Sequence, residues 1–205
     1  MSKSIFRGLI ILLIASSLTT HNVLAQNCKP DNSRLDKITK QQLDEWSSVL
    51  YAPGIFNNAM KNSNVKIAAS IIRMGDINKI ALVIIRTQEK INTTTVDQYR
   101  GAKGNEFYFG FKDGTPIKFV VDEVTNKSDV VGDIGVNSII LFSAIKDEDL
   151  KTIKEGLTAK SIDAVRATLE NGITVEQSVK DKDGAKMQVK FNCFFSFAQE
   201  KGYMK

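Results

Sequence analysis

Residues 105–124 read NEFYFGFKDGTPIKFVVDEV and predict a β-hairpin. Apolar side chains recur at every second position on both sides of its centre: Phe107, Phe109 and Phe111 before it, and Ile117, Phe119 and Val121 after it. A three-residue loop, 112–114, with Gly114 in the left-handed conformation would pair Phe109 with Ile117. A two-residue turn would instead pair Phe109 with Lys118 and place a charge opposite the buried face. We therefore expect the three-residue loop, with Phe107 opposite Phe119.

The first 25 residues have the features of a secretory signal peptide. Lys3 and Arg7 supply a positive start, residues 9–14 form an apolar run, and residues 23–25 (VLA) resemble a cleavage site. Polar residues from Ser16 onward interrupt the apolar run before the ~20 residues that a membrane span needs. Cys28 lies two residues beyond the position of a lipid-anchored cysteine. We expect residues 26–205 to be exported, secreted or periplasmic, without stable membrane insertion after cleavage.

The charge balance of the expected mature chain is nearly neutral. Without Lys3 and Arg7, 26 basic residues stand against 23 acidic ones, and no run of five like charges occurs. This pattern does not favour nucleic acid as a partner. The length of residues 26–205 suits one α+β domain, with a possible subdomain boundary in the polar, glycine-containing stretch 126–135.

Histidine and cysteine usage limits the available chemistry. The chain has one histidine, His21, and it lies in the predicted leader, so the exported chain could not use a Ser–His or Cys–His mechanism or a histidine-containing zinc site. Cys28 and Cys193 are the only two cysteines. An even pair in an oxidising compartment predicts a disulfide. The alternative is two free thiols, with Cys193 buried in a strand.

The first half of the exported chain predicts one helix and two central strands. Leu43, Trp46, Val49 and Leu50 recur at helical spacing over residues 39–51, and Thr39 with Gln42 resembles a capping box. We interpret Trp46 as a core residue rather than a ligand platform. Residues 65–73 and 80–87 are apolar on both faces, which is typical of central strands that are covered on both sides.

The second half predicts a strand, a helix and a meander. Residues 138–144 form the strand, and a helix capped by Asp147 would carry Leu150 and Ile153 and end at Gly156. The meander, 161–197, would turn at two further three-residue loops with glycine in the third position, 170–172 and 182–184. The expected pairs are Leu169 with Ile173, Ala167 with Val175, Val175 with Phe191, and Val179 with Met187. The predicted fold class is α+β, mostly antiparallel hairpins and a meander, with one or two covering helices.

Motifs that could carry chemistry are weak. Residues 100–104 (RGAKG) could cradle an anion but lack a P-loop's spacing and are interpreted as a basic turn. The acidic residues 147–149 suit a helix N-terminus better than a calcium site. Asp122 and Glu123 are adjacent, so their side chains would point to opposite faces rather than flank one bond. The sequence therefore assigns no catalytic, cofactor-binding or metal residue.

The sequence does not identify a function. We expect a non-catalytic binding or interaction module with an unknown protein or glycan partner. Glycan binding would need Tyr51, Tyr99 or Tyr108 grouped in one groove. The alternative is a carboxylate-based hydrolase of extracellular or periplasmic polymers.

Overall fold

The computed structural model describes residues 28–37, 40–52, 61–74, 77–91, 99–132 and 134–204. In chain order the elements are β1 (Asn32–Leu35), β2 (Gln42–Ala52), β3 (Lys61–Met74), β4 (Ile77–Ile91), β5 (Glu106–Phe111), β6 (Pro116–Val120), β7 (Glu123–Val131), β8 (Ile134–Ala144), α1 (Asp147–Ala159), β9 (Ile162–Thr168), β10 (Thr174–Ser178) and α2 (Asp181–Glu200). A short 3₁₀ turn, Glu170–Gly172, separates β9 from β10.

The strands form two sheets whose neighbours are all antiparallel. Sheet A is a half-barrel with the order β1-β2-β3-β4-β8-β7, and sheet B has the order β10-β9-β5-β6. Buried side chains of both sheets and both helices form one hydrophobic cluster. The predicted fold class, α+β with mostly antiparallel sheet and two covering helices, is confirmed.

The β5–β6 hairpin has the predicted register. Phe109 pairs with Ile117 and Phe107 with Phe119, and the two paired phenylalanine rings stack with centroids 4.9 Å apart. Gly114 has a φ of +80°, the left-handed conformation that the three-residue loop requires. Local turn chemistry and the buried face therefore agree on one arrangement.

The helix predicted for residues 39–51 is wrong, because residues 42–52 form β2. β2 pairs along its whole length with β3, and Trp46 and Leu50 share the buried face with Asp44. Val49, which helical spacing placed with them, is 39% exposed on the opposite face. The alternation typical of a strand is not apparent in the sequence because Asp44, a carboxylate, occupies one of the core-facing positions. Its burial is possible because Arg73 and Ser33 donate hydrogen bonds to it, at 3.0 Å and 2.6 Å. Thr39 of the expected capping box lies outside the described residues.

The last strand of the predicted meander is also wrong, because residues 181–200 form α2. The loop predicted at 182–184 is the first turn of this helix, so Val175 does not pair with Phe191, nor Val179 with Met187. Apolar side chains are buried along the helix at helical spacing: Met187, Phe191, Phe194, Phe195 and Ala198. The earlier turn, 170–172, is confirmed, with Ala167 opposite Val175 and Leu169 bonded to Ile173.

The helix predicted after β8 is confirmed, although its ends differ. Its N-cap is Lys146, with Asp147 in the first turn, and it continues through Gly156 to Ala159. Gly156 is buried inside the helix because α1 lies close to β6: a Cβ there would overlap Ile117 and contact the Phe111 ring. The glycine marks a close approach of elements rather than a helix end.

Strands 65–73, 80–87 and 138–144 lie within β3, β4 and β8, as predicted. The link expected at residues 126–135 is wrong where the structure describes it in strands: residues 126–131 lie in β7, and residues 134–135 lie in β8. The division of residues 26–205 into one domain or two stays a prediction, and the predicted leader lies outside the described residues.

The predicted disulfide between Cys28 and Cys193 is present, with their Cα atoms 4.7 Å apart. It joins the segment before β1 to α2, since Cys193 lies on that helix rather than on a strand. The same segment is held by an ion pair between Asp31 and Lys190. The two ends of the described chain are therefore fastened together beside sheet A.

Candidate functional site: an apolar cleft between the sheets

An apolar cleft of about 360 Å³ lies between sheets A and B. Sheet A contributes Val65 from β3, Ile84 from β4, and Ile139 and Leu141 from β8. The opposite wall is formed by Val165, Ala167, Leu169 and Val175 of sheet B and its connecting turn. The mouth lies at β10, where Thr174, Glu176 and Gln177 complete the lining.

The strand register explains why the walls are apolar. Leu141 is the neighbour of Ile84 across β8 and β4, and Ala167 is the neighbour of Val175 across β9 and β10. Because successive side chains of a strand point to opposite faces, β8 and β9 present alternate residues to the space between the sheets, whereas the edge strand β10 borders the mouth with consecutive residues. Core-facing aliphatic residues thus become the walls of the cleft where the sheets separate.

The charges at the mouth are neutralised. Glu176 accepts hydrogen bonds from Arg166, whose Nη2 lies 2.6 Å from the carboxylate, and the Gln177 amide donates to the carbonyl of Ser178. Among the described residues that line the cleft, Glu176 is the one carboxylate. The cleft therefore offers no pair of facing carboxylates for hydrolysis and no buried charge for an ionic ligand.

The volume and lining of the cleft match those of small-molecule sites. Ligand pockets in proteins generally occupy roughly 300–1,000 Å³ and are lined mainly by apolar side chains with a few polar groups. An engineered cavity of about 150 Å³ lined by apolar residues stays dry and binds benzene. At that packing, 360 Å³ corresponds to about 14 carbon atoms.

Trp46 lies in the core and away from this cleft. Its side chain is 1% exposed, and its ring centroid lies 5.6 Å from that of Phe194 and 5.1 Å from that of Phe197. These contacts anchor α2 to sheet A. The interpretation of Trp46 as a core residue is confirmed.

Tyr99 and Tyr108, the two candidate tyrosines whose side chains the structure describes, do not converge on one groove. Tyr99 packs against the hydrophobic core, whereas Tyr108 lies on the outer face of sheet B and donates a hydrogen bond to Glu106. The Tyr51 side chain lies outside the described residues. The structure thus separates Tyr99 from Tyr108 and does not group these two in one groove, which is the arrangement that glycan binding would need.

The outer face of sheet B is a paired polar surface. Hydrogen bonds from Tyr108 and from Lys118 lower the pKa of Glu106, and the bond to Glu106 raises the pKa of Tyr108. Arg166 is the register neighbour of Tyr108 on this face and is paired with Glu176. Each charge here has a partner in the neighbouring strand, which is typical of a solvated sheet face.

The remaining candidate motifs have structural roles. Residues 100–104 form a turn that Asn126 fastens: its side chain accepts from the Gly101 amide and donates to the Gly101 carbonyl, both at 2.9 Å. Asp147 and its acidic neighbours lie in the first turn of α1. No group of three potential metal ligands occurs in the part of the chain that the structure describes.

Asp122 and Glu123 are kept apart, as their adjacency predicts. Asp122 accepts a hydrogen bond from the Ala144 amide at 2.8 Å and lines a groove beside β6. Glu123 instead lines a separate trough that includes Ile72 and Phe142 of sheet A. The two carboxylates therefore do not flank a common site.

Comparison with protein-family models, curated proteins and solved structures finds no match to this chain. Neither of the two described helices has both the length and the apolar character that a transmembrane helix needs. A function must therefore be argued from the cleft itself.

The sequence could not distinguish the residues that line the cleft from core residues. Val65, Ile84 and Ile139 follow the alternation of any buried strand. A space between two sheets depends on how far apart the sheets are held, and no local pattern records that distance. The one local signal is Ala167, a small side chain among larger aliphatic ones.

Proposed function

We propose that this protein is an exported, non-catalytic binding module whose cleft takes a small apolar or amphipathic molecule of about 14 carbon atoms. The leader-like residues 1–25 and the disulfide support export, because disulfides persist in oxidising compartments. The ligand's apolar part would lie between Ile139 and Ala167, with any polar group at Gln177 near the mouth.

The observation that carries this proposal is the apolar lining of the cleft together with its neutralised rim. A charged ligand group would lose its hydration in the cleft without gaining a partner, which is costly. An alkyl chain gains about 0.8 kcal/mol for each buried CH₂ group, so about 14 such groups contribute ~11 kcal/mol. Subtracting a cost of association of at least ~4 kcal/mol leaves at most ~7 kcal/mol, which corresponds to a Kd of about 10 μM.

The test is a titration of the purified, disulfide-intact protein with 1-aminonaphthalene, a polarity-sensitive fluorescent probe of 11 non-hydrogen atoms that fits within the cleft. We expect saturable binding of one probe per chain, displacement by 1-dodecanol, and weak displacement by 1-butanol, which fills only part of the cleft. Dodecanoate carries a carboxylate where 1-dodecanol carries a hydroxyl group. Because the described residues of the rim offer no free positive charge, dodecanoate should displace the probe more weakly than 1-dodecanol.

A control variant, Val189→Lys, alters an exposed apolar residue of α2 that lies outside the cleft. It should leave probe binding unchanged. Probe fluorescence that rises without saturation, or that is lowered by Val189→Lys, would show non-specific surface binding and contradict the proposal.

A further inference from the structure

A second surface of the molecule has the geometry for adding a β-strand. β6 is an edge strand of sheet B, and α1 runs beside it in the opposite direction, with Gly156 against Ile117 and Lys160 bonded to Thr115. Between them lies a groove of about 520 Å³, here called the β6 groove. It is lined by Pro116, Ile117, Lys118, Phe119, Val120, Asp122, Ser143, Ala144, Lys146, Asp149, Thr152 and Ile153.

The hydrogen-bond pattern shows which backbone groups of β6 face this groove. The amide of Val121 donates to Asn105, and the carbonyl of Thr115 accepts from Phe111, so odd-numbered residues direct their groups toward β5. Because directions alternate along an antiparallel strand, Lys118 and Val120 direct their N–H and C=O groups away from β5. Pro116, the preceding outward residue, has no N–H and presents only its carbonyl.

The charge of the β6 groove is unbalanced once existing ion pairs are counted. Its two lysines already have carboxylate partners: Lys118 lies 3.1 Å from Glu106, and Lys146 lies 4.0 Å from Glu148. Asp122 and Asp149, by contrast, have no lysine or arginine within 4.0 Å among the described residues. The groove therefore presents two carboxylates without a cationic partner, of which Asp122 accepts the Ala144 amide, beside the outward backbone groups of the edge strand β6.

We propose that the β6 groove binds an extended, basic peptide segment of a partner protein by strand addition to β6. Main-chain bonds to Lys118 and Val120 would align the segment, as in other complexes where a peptide extends a sheet edge. Lysine or arginine side chains at one alternate set of positions would face α1 and reach Asp149, whereas apolar side chains at the other set would lie beside Val120, which is 47% exposed on the opposite face of β6. This inference does not depend on the apolar cleft and goes beyond the proposed function.

The test uses a defined heptapeptide probe, acetyl-KVKVKVK-amide, titrated into the disulfide-intact protein by isothermal titration calorimetry. The acidic counterpart, acetyl-EVEVEVE-amide, should bind at least tenfold more weakly. N-methylation of the peptide at one alternate set of residues should abolish binding, because it removes the N–H groups that face β6. Methylation of the other set should have little effect, since those groups face solvent.

Two matched protein variants locate the site. Asp149→Asn should raise the Kd of the basic peptide about two- to fivefold, as expected for the loss of an exposed ion pair. Asp147→Asn, in the same helical turn, should leave the Kd unchanged. Val120→Pro removes an outward N–H without touching the bonds that Val121 makes to the β5 side, so it should abolish binding with the melting temperature preserved.

Three results would overturn the proposal. The first is no saturable binding of the basic peptide at millimolar concentration. The second is binding that is indifferent to both sets of N-methyl groups. The third is a concentration-dependent dimer in analytical ultracentrifugation that Val120→Pro dissociates, which would assign the edge to a second copy of the chain.

Discussion

Replacing Ala167 with leucine tests whether the cleft between the sheets is usable space. Ala167 lies on β9, lines the cleft, and is the register neighbour of Phe107 and Val175. The change adds three carbon atoms, about 75 Å³ at the packing of benzene in an apolar cavity, which is roughly one fifth of the cleft. A leucine that fills real space would gain up to ~2.4 kcal/mol of folding free energy from burial.

The leucine also reduces the space that is left for the ligand. The narrowed cleft of about 285 Å³ holds about 11 atoms at the same packing, so one to two of the 13 non-hydrogen atoms of 1-dodecanol would return to water, and its affinity should fall by about 1.3 kcal/mol, which is roughly tenfold in Kd. Ala164→Leu is the matched control, because Ala164 lies on the same strand opposite Gly110 and outside the cleft. Urea denaturation gives the stability of each variant, and probe displacement gives the affinity.

The outcome for Ala167→Leu discriminates between two physical situations. For Ala167→Leu we expect unchanged or increased stability together with weakened binding. For Ala164→Leu we expect unchanged binding. A loss of 2 kcal/mol or more in the Ala167 variant alone would show overpacking, meaning that the walls already touch. Unaltered affinity in a stable variant would mean that the ligand binds elsewhere.

Three further predictions concern stability. Gly114→Val should destabilise the protein by about 1–2 kcal/mol, because a β-branched residue must adopt a φ of +80°; an unchanged melting temperature would refute the loop assignment. The pKa of Asp113 is lowered from 3.8 to about 2, chiefly by hydrogen bonds from Thr115, so its charged form stabilises the fold above about pH 4 and that contribution is lost as the pH falls toward 2. Asp113→Asn should therefore lower the melting temperature at pH 7 but not at pH 2, and a constant difference would contradict this. Replacing Cys28 and Cys193 with serine removes a cross-link between residues 165 positions apart and should lower the free energy of unfolding by at most ~5 kcal/mol, as measured by denaturant titration. An unchanged free energy of unfolding would mean that the disulfide contributes nothing to stability.

The parts of the fold that the sequence predicts correctly are those where two local signals agree. In the β5–β6 hairpin, alternation of apolar residues and a glycine in the third loop position both select one register. At residues 170–172 the same loop format holds, with Gly172 at a φ of +73°. These features depend on neighbouring residues alone.

The errors arise where one set of residues fits two periods. Phe191 and Phe195 belong equally to an alternating strand and to a helix face, and tertiary packing against β2 and β9 decides for the helix. Gly184 in the first turn of α2 resembles the third residue of a hairpin loop, but its missing side chain instead lets the helix approach the carbonyl of Ile162. Packing partners that are distant in sequence supply this information.

The apolar cleft could not be predicted for a related reason. Its walls are ordinary core positions, and the space between Ile139 and Ala167 depends on how two sheets and α2 are held together. No local pattern predicts the β6 groove either, although Asp122, which lines it, stands out in the sequence as a candidate acid.

The most direct measurement of the cleft's function is methyl NMR of protein labelled with ¹³C at isoleucine, leucine and valine methyl groups, titrated with 1-dodecanol. The account predicts saturable shifts confined to the labelled wall residues of both sheets, with Val120 and Ile72 unperturbed; these wall residues are Val65, Ile84, Ile139, Leu141, Val165, Leu169 and Val175. Shifts centred on Ile72 and Ile140 would place the ligand in the trough on sheet A. No saturable shift at the wall residues would contradict the central claim.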